Sequence, residues 1–234
     1  MCSIILSKIV ALVTAHIQCH LPVVNLYVTS HIFLALAPNT IISKMAPWSA
    51  KIIEQFSTIP PNPRENDFFG PYNKLLSTLF PPVSYTVAPR PHSSLNYVLG
   101  SYGVADFSIG FEVLLEDKTI FFMEIKEPQM LAFKSAREEA DSHMRMRMAD
   151  FGPDYPLDPL NGVSAFGTHL AFYSLDKQNR IHPNYIRSHD HGKETDVAPV
   201  DRWNSDILED EGSQRFQDLV AEIKAKCNQP YEKC

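Results

Sequence analysis

The alternation of apolar and polar residues after Met45 predicts helices first and strands next. The segment SAKIIEQF (Ser49–Phe56) has apolar residues at helical spacing and is followed by a proline-rich stretch, through which a helix cannot continue. A second helix is predicted from Glu65 to Leu79, because two prolines follow closely. Within it, Gly70-Pro71 predicts a kink or a separate first turn, since proline lacks the amide hydrogen that a helix interior uses.

The following segments are rich in β-branched and aromatic residues, and they predict a meander of three strands. The candidates are VSYTVAPR (Val83–Arg90), DFSIGFEVLLE (Asp106–Glu116) and KTIFFMEIK (Lys118–Lys126). The polar pair Glu116-Asp117 predicts a tight turn between the last two strands, which would make them antiparallel neighbours.

A long helix is predicted next, over about Ala132 to Ala149, because apolar residues recur there at spacings of three and four. These residues are Phe133, Ala136, Ala140, Met144 and Met148. THLAFYSLD (Thr168–Asp176) predicts another strand, and GSQRFQDLVAEIKAKC (Gly212–Cys227) predicts a closing helix. The order of helix, three strands, helix, strand and helix predicts an α/β fold, a mixed α+β sandwich.

The first 44 residues differ in composition from the rest of the chain. No Lys, Arg, Asp or Glu occurs from Ile9 to Ser43, and most of this stretch is apolar. Three interpretations stay open: an extension that the domain does not need, a membrane or secretory segment within residues 9–37, and a packed part of the fold. Histidines and other polar residues inside the stretch weigh against a spanning helix. We predict an apolar N-terminal extension at 1–44 and a domain at 45–234.

Composition and charge limit the classes of function. The 234 residues are 44% hydrophobic and 21% charged, which is typical of a globular protein. The net charge of −6 excludes a protein that coats nucleic acid by bulk charge, although a local basic groove is compatible with it. The four cysteines lie near the termini without zinc-type spacing, and residues 20–226 contain none. Disulfides therefore cannot hold the domain together, which favours the cytoplasm or nucleus over membrane association or secretion through the N-terminal segment.

Three charged residues lie on strands that are otherwise apolar: Asp106, Glu124 and Lys126. Charges inside a sheet are costly unless they are paired or bind a metal. Residues two apart in a strand share a face, so Glu124 and Lys126 point the same way and Ile125 points into the opposite layer. Antiparallel pairing of the two strands would bring Asp106 close to Glu124 and Lys126. The two carboxylates and the main-chain oxygen of Ile125 could then hold Mg²⁺, with Lys126 placed to orient or deprotonate water.

This combination of an acid, a following E-x-K and the predicted order of elements resembles the PD-(D/E)XK, or restriction-endonuclease-like, superfamily. Asp106 stands where the first acid of the family stands, and Glu124 and Lys126 stand as the E-x-K. The core order of the family fits the elements predicted from about residue 65 to 176. Its first helix often supplies a further acid, for which Glu65 is the better candidate and Asp67 the second. The segments FFGPYNKLL, REEADSHMRMRM, GTHLAFYSLD and DRWNSDILE also resemble uncharacterised fungal proteins predicted to carry this domain.

The resemblance implies a nuclease that hydrolyses phosphodiester bonds with Mg²⁺ or Mn²⁺. Its catalytic residues would be Asp106, Glu124, Lys126 and Glu65, and its metal ligands Asp106, Glu124 and the main-chain oxygen of Ile125. Its partner would be DNA or RNA, bound transiently, with a membrane contacted only through residues 9–37.

The sequence also departs from the family pattern, and other interpretations stay open. Ala105 rather than proline precedes Asp106, and the helix after the E-x-K offers only Lys134 and Arg137 for the glutamine or lysine often found there. Glu124 and Lys126 would form an ordinary salt bridge if the site were not catalytic. The chain would then be a nucleic-acid-binding or effector module on the same fold. The arginines of this helix, Arg137, Arg145 and Arg147, could contact phosphate or belong to a solvated face of mixed charge.

Overall fold

The computed structural model describes residues 48–93, 107–151, 155–187 and 195–228. The predicted extension at 1–44, its candidate membrane segment at 9–37, and Asp106 lie outside these ranges. Across the described residues, none of the helices has the length and the apolar character that crossing a membrane requires.

Two helices open the described chain, as the sequence predicts. Helix α1 (Ala50–Ser57) is followed by a 3-10 turn (Glu65–Phe68), which leads directly into helix α2 (Phe69–Leu79). The predicted second helix is thus divided near Gly70-Pro71, and the proline lies in the first turn of α2, where its missing amide hydrogen costs no helical bond.

Three antiparallel strands form the predicted meander: β1 (Thr86–Ser93), β2 (Phe107–Leu115) and β3 (Lys118–Lys126). Glu116 and Asp117 form the turn between β2 and β3, with φ angles of 49° and 64°. Positive φ at both positions gives the type of turn whose twist matches a β-hairpin.

Helix α3 (Lys134–Asp150) crosses from β3 to a strand that the sequence interpretation omitted, β4 (Leu160–Phe166). β4 pairs with β3 in parallel, so it, and not the segment Thr168–Asp176, is the first strand after the helix. Its sequence, LNGVSAF, is weak in β-forming residues, and for that reason its pattern did not predict a strand. Phe133 precedes α3 and is 57% exposed, whereas the rest of the predicted apolar stripe is buried.

The remaining elements complete one side of the sheet. The predicted strand at Thr168–Asp176 is β5 (His169–Leu175), which is antiparallel to β4. Two short strands pair with its other edge, β6 (Ile181–His182) and β7 (Ser205–Asp206), and helix α4 (Asp210–Cys227) follows. The sheet order is β1-β2-β3-β4-β5-β6, with β7 also on β5, and every described pairing except β3–β4 is antiparallel.

Two hydrophobic clusters lie on the two faces of this sheet. One joins the apolar faces of α1, α2 and α4 to residues such as Phe121, Met123 and Ile125 of β3. The other joins α3 to Phe122 of β3 and to apolar residues of β4 and β5. Alternate residues of β3 therefore belong to different layers, as the period of a strand requires. The fold is a mixed α/β architecture of the α+β class, as predicted.

Candidate functional site

Glu124 and Lys126 lie near the end of β3 and point to the face that α3 covers. Glu124 Oε1 is 3.4 Å from Lys126 Nζ, and the two residues are 5% and 9% exposed. Ile125, between them, belongs to the opposite core, as the alternation predicts. β3 is flanked by β2 and β4 at this point, since Ile125 pairs with Ile109 on one side and Ala165 on the other.

Helix α3 supplies two further ionisable residues to the same place, one helical turn apart. His143 Nδ1 donates to Glu124 Oε1 at 3.0 Å, and Lys126 Nζ donates to Glu139 Oε1 at 3.5 Å. His143 Nε2 lies 3.8 Å from Glu139 Oε1. Acids and bases thus alternate around a closed ring, which we call the charge cluster: Glu124, His143, Glu139 and Lys126.

The charge cluster is held by the packing of α3 on the sheet. Glu139 and His143 directly precede Ala140 and Met144, which are fully buried in the core under the helix. Residues four apart lie on one side of a helix, so Glu139 and His143 both face the edge of that core, where β3 brings Glu124 and Lys126.

Burial makes the pairing within the charge cluster necessary. Moving an isolated charge out of water costs roughly several kcal/mol of desolvation free energy. A buried carboxylate therefore needs a basic or hydrogen-bonding partner. The hydrogen bond to Glu124 raises the pKa of His143 above its ordinary value of 6.5, while burial acts in the opposite direction. The imidazolium form is therefore favoured at Glu124, and the carboxylate is shared between two cationic groups.

The turn between β4 and β5 fixes the end of β3. Gly167 N donates to the main-chain oxygen of Lys126 at 3.0 Å, and Tyr72 Oη of α2 donates to the Gly167 oxygen at 2.7 Å. Gly167 has a φ of +62°, and a Cβ there would lie 2.7 Å from Cβ of Pro128. Both the left-handed conformation and the close approach require glycine, so this residue sets the position of Lys126.

Glu65, the predicted fourth site residue, begins the 3-10 turn between α1 and α2. This turn contacts both β2 and β3, and Glu65 is half-buried in it. Asp67, the second candidate, accepts a hydrogen bond from the Arg64 amide at 2.7 Å and so caps the turn. The capping contact gives Asp67 a structural role.

The basic residues that the sequence suggested on α3 make contacts elsewhere. Arg137 bonds to the main-chain oxygens of Ala198 and Leu131 and to Asp196 at 2.6 Å, and Lys134 lies 3.6 Å from Glu138. Glu139 and His143 were missed by the sequence interpretation. Their only sequence signal is the four-residue spacing, one position before the apolar stripe.

The donor chemistry of the charge cluster fits a magnesium site in part. Mg²⁺ is commonly held by one or two carboxylates, with water and substrate phosphate completing its coordination, and Glu124 and Glu139 could provide them. Within the described ranges, His, Cys, Asp and Glu side chains form no group of three arranged to hold a metal ion. The predicted ligand Asp106 lies outside those ranges, and the main-chain oxygen of Ile125 as a ligand stays a prediction.

No protein-family model, curated protein or solved structure matches this chain.

Proposed function

We propose that this protein is a metal-dependent nuclease that hydrolyses phosphodiester bonds in DNA or RNA. The observation that carries the proposal is the convergence of Glu124 and Lys126, both buried, on one face at the end of a central strand, 3.4 Å apart. Buried ionisable groups are costly to keep, and they are found preferentially at functional sites.

The topology supports the proposal. Helix α2, the antiparallel meander β1–β3, helix α3 and the parallel strand β4 follow the core order expected from the PD-(D/E)XK resemblance. We therefore propose a restriction-endonuclease-like core, with the E-x-K on its third strand. Fold analogy alone does not establish chemistry, so the proposal depends on the side chains at the site.

In the proposed mechanism, Glu124 and Asp106 would hold Mg²⁺ or Mn²⁺, with Glu65 as a further acid. The bound ion would polarise a phosphate oxygen and lower the pKa of an attacking water. Lys126 would orient the attacking water and contact a phosphate oxygen, since its ammonium is a compact charge with three donors. Glu139 is 43% exposed and 3.5 Å from Lys126 Nζ, so it holds the ammonium on the solvent side of Glu124.

A second function, a non-catalytic nucleic-acid-binding or effector module, is favoured by the closure of the charge cluster. Each acid in it already has a basic partner, as expected of a salt-bridge network that stabilises α3 on the sheet. Under this alternative the cluster would fix the helix and would bind no metal.

Cleavage assays on purified full-length protein distinguish the two functions. Labelled single- and double-stranded DNA and RNA are incubated with Mg²⁺, Mn²⁺ or EDTA. We expect metal-dependent cleavage by the wild type and a loss of roughly 10²-fold or more in Lys126→Ala, the usual scale for a positioned acid–base group.

The matched control is Lys226→Ala, which removes a lysine from a surface pair with Glu222. It should cleave at the wild-type rate, and Glu124→Gln purified in the same way measures contaminating nuclease. If the wild type cleaves none of the substrates with either metal, the non-catalytic binding or effector module is the better conclusion.

A further inference from the structure

Next to the charge cluster, another buried acid pairs with two arginines. Glu112 of β2 is 4% exposed, and its Oε2 lies 3.4 Å from Arg90 Nε of β1. Arg147 Nη2 of α3 bonds to the other oxygen, Oε1, and Thr119 Oγ1 donates to Oε2 at 3.3 Å. One carboxylate thus faces two guanidinium groups.

Arg147 and Glu112 lie next to the charge cluster, on the same side of α3 and on the same face of the sheet. Glu139, His143 and Arg147 are four residues apart in turn, so Arg147 follows His143 on the same side of the helix, about 6 Å further along its axis. On the sheet, Gly110 is opposite Glu124, and Glu112 is the next residue of β2 on that face.

The guanidinium of Arg147 is partly buried and incompletely hydrogen-bonded. Burial lowers the pKa of Arg147 and the nearby charge of Arg90 acts in the same direction, while Asp150 acts in the opposite direction. The Nε atom of Arg147 is buried and has no hydrogen-bond partner among the described residues. Its guanidinium also lies 5.1 Å from the ring centroid of Phe151, which restricts its orientation.

A second buried acid that pairs with two arginines differs from this arrangement in the exposure of its arginines. Asp141 also pairs with two arginines, Arg145 and Arg202, but their side chains are only 14% and 8% exposed. They also donate to main-chain oxygens, and Tyr173 Oη completes the set. Arg90 and Arg147 are instead 52% and 31% exposed, so an external anion can reach them.

We propose that Arg90 and Arg147, positioned by Glu112, bind a backbone phosphate of the nucleic-acid strand next to the scissile phosphate. A planar guanidinium matches phosphate oxygens through paired hydrogen bonds, and a second guanidinium beside it raises the local positive potential. The subsite gives an acidic protein a local basic contact for a polyanion. The assignment of the strand as a substrate rests on the proposed nuclease function. Binding of the strand to the two arginines can be measured without any cleavage.

Equilibrium binding in EDTA tests the subsite without cleavage. The probes are a fluorescein-labelled 20-nucleotide single-stranded DNA and the matching RNA, titrated with full-length protein at several salt concentrations. We expect Arg90→Gln and Arg147→Gln each to weaken binding roughly three- to tenfold and to reduce the slope of log K against log salt by about 0.7, the loss of one phosphate contact.

The matched control is Arg180→Gln, which removes an arginine that is 65% exposed and paired with Asp176 beside β6. It should bind like the wild type. The subsite would be overturned if all three variants bound with the affinity of the wild type, or if the wild type did not bind either probe. If Arg147→Gln melts at a lower temperature, Arg90→Gln decides, because Arg90 is half exposed.

The two proposals can fail separately. Cleavage by the wild type together with arginine-independent binding would overturn only the phosphate subsite. Arginine-dependent binding without any metal-dependent cleavage would overturn only the nuclease function.

Discussion

Glu124 and His143 are joined by a hydrogen bond of 3.0 Å that links the central strand of the sheet to the helix covering it. The same carboxylate oxygen lies 3.4 Å from Lys126, so two bases from different elements share it. The electrostatic environment of Glu124 is therefore set by the packing of α3 as well as by the E-x-K segment. Any ligand of Glu124 must compete with both bases.

The first prediction concerns the pH dependence of stability in EDTA. Because the pKa of His143 is raised in the folded protein, its contribution to stability is complete below 6.5, the ordinary value, and is lost as the pH rises through the folded pKa. Glu124→Gln removes the hydrogen-bonded carboxylate, the largest cause of the shift, so it should lower the pKa of His143 and shrink this loss. Histidine proton NMR measures the pKa of His143. Urea unfolding at a series of pH values, from below 6.5 to above the folded pKa, measures the stability. An unchanged His143 titration in the variant would contradict the contact.

Two members of the charge cluster, Glu124 and Lys126, were predicted from the sequence, and the two on α3 were not. Strand alternation is local, so the spacing of Glu124 and Lys126 is enough to place them on one face. Which side of α3 faces β3 depends on long-range packing, and the family pattern suggested Lys134 or Arg137 rather than His143. Since the apolar residues of α3 were correctly predicted from Ala136 onward, the polar residues just before them were the available signal.

The second prediction concerns packing between β4 and α3. A Cβ on Gly162 would lie 2.6 Å from Phe122 Cζ and 2.9 Å from Met144 Cε. Gly162→Ala should therefore destabilise the protein by about 1–3 kcal/mol, the usual cost of overpacking a core. Gly70→Ala is the control, because the nearest atom to its added Cβ is 3.9 Å away, and it should not destabilise the protein. Urea unfolding measures both, and equal stabilities would show that Phe122 and Met144 can move aside.

Strand β4 was missed because its small residues serve packing rather than strand propensity. Gly162 admits Phe122 and Met144, and Ser164 Oγ accepts a hydrogen bond from Trp203 Nε1 at 3.2 Å. A strand buried on both faces between a helix and a second core selects residues by available space. Such residues lack the alternation that predicts a half-exposed strand, so only the tertiary structure identifies them.

The third prediction concerns the boundary at Met45. Trp48 is buried, its Nε1 donates to the Ile207 oxygen at 2.6 Å, and its ring meets Phe216 edge-on. A protein beginning at Met45 keeps these contacts and should unfold at the same temperature and with the same cooperativity as the full chain. One beginning at Ala50 loses Trp48 and should be less stable by about 3–5 kcal/mol, the scale for truncating a buried tryptophan. Loss of cooperative melting from the protein that begins at Met45 would show that residues 1–44 belong to the core.

The fourth prediction separates a metal site from a salt-bridge network without any substrate. If the wild type binds Mn²⁺ at Glu124, mass action should stabilise it by about 2.7 kcal/mol at a hundred times the dissociation constant, relative to EDTA. Glu124→Gln should abolish that increase. In EDTA it should also melt lower than the wild type, because a neutral amide leaves Lys126 and His143 with less compensating charge, at a cost of about 1–3 kcal/mol.

Thermal melts of the wild type, Glu124→Gln and Glu222→Gln, each in EDTA and in Mn²⁺, provide the measurement. Glu222 is 53% exposed and pairs with Lys226 across the surface of α4, so its variant should keep the wild-type response to Mn²⁺. A lower melting temperature of Glu124→Gln in EDTA is expected of either function, because it reports only the ion pairs. The response to Mn²⁺ decides: if the wild type melts at the same temperature with and without the ion, Glu124 is a structural member of the charge cluster and not a metal ligand.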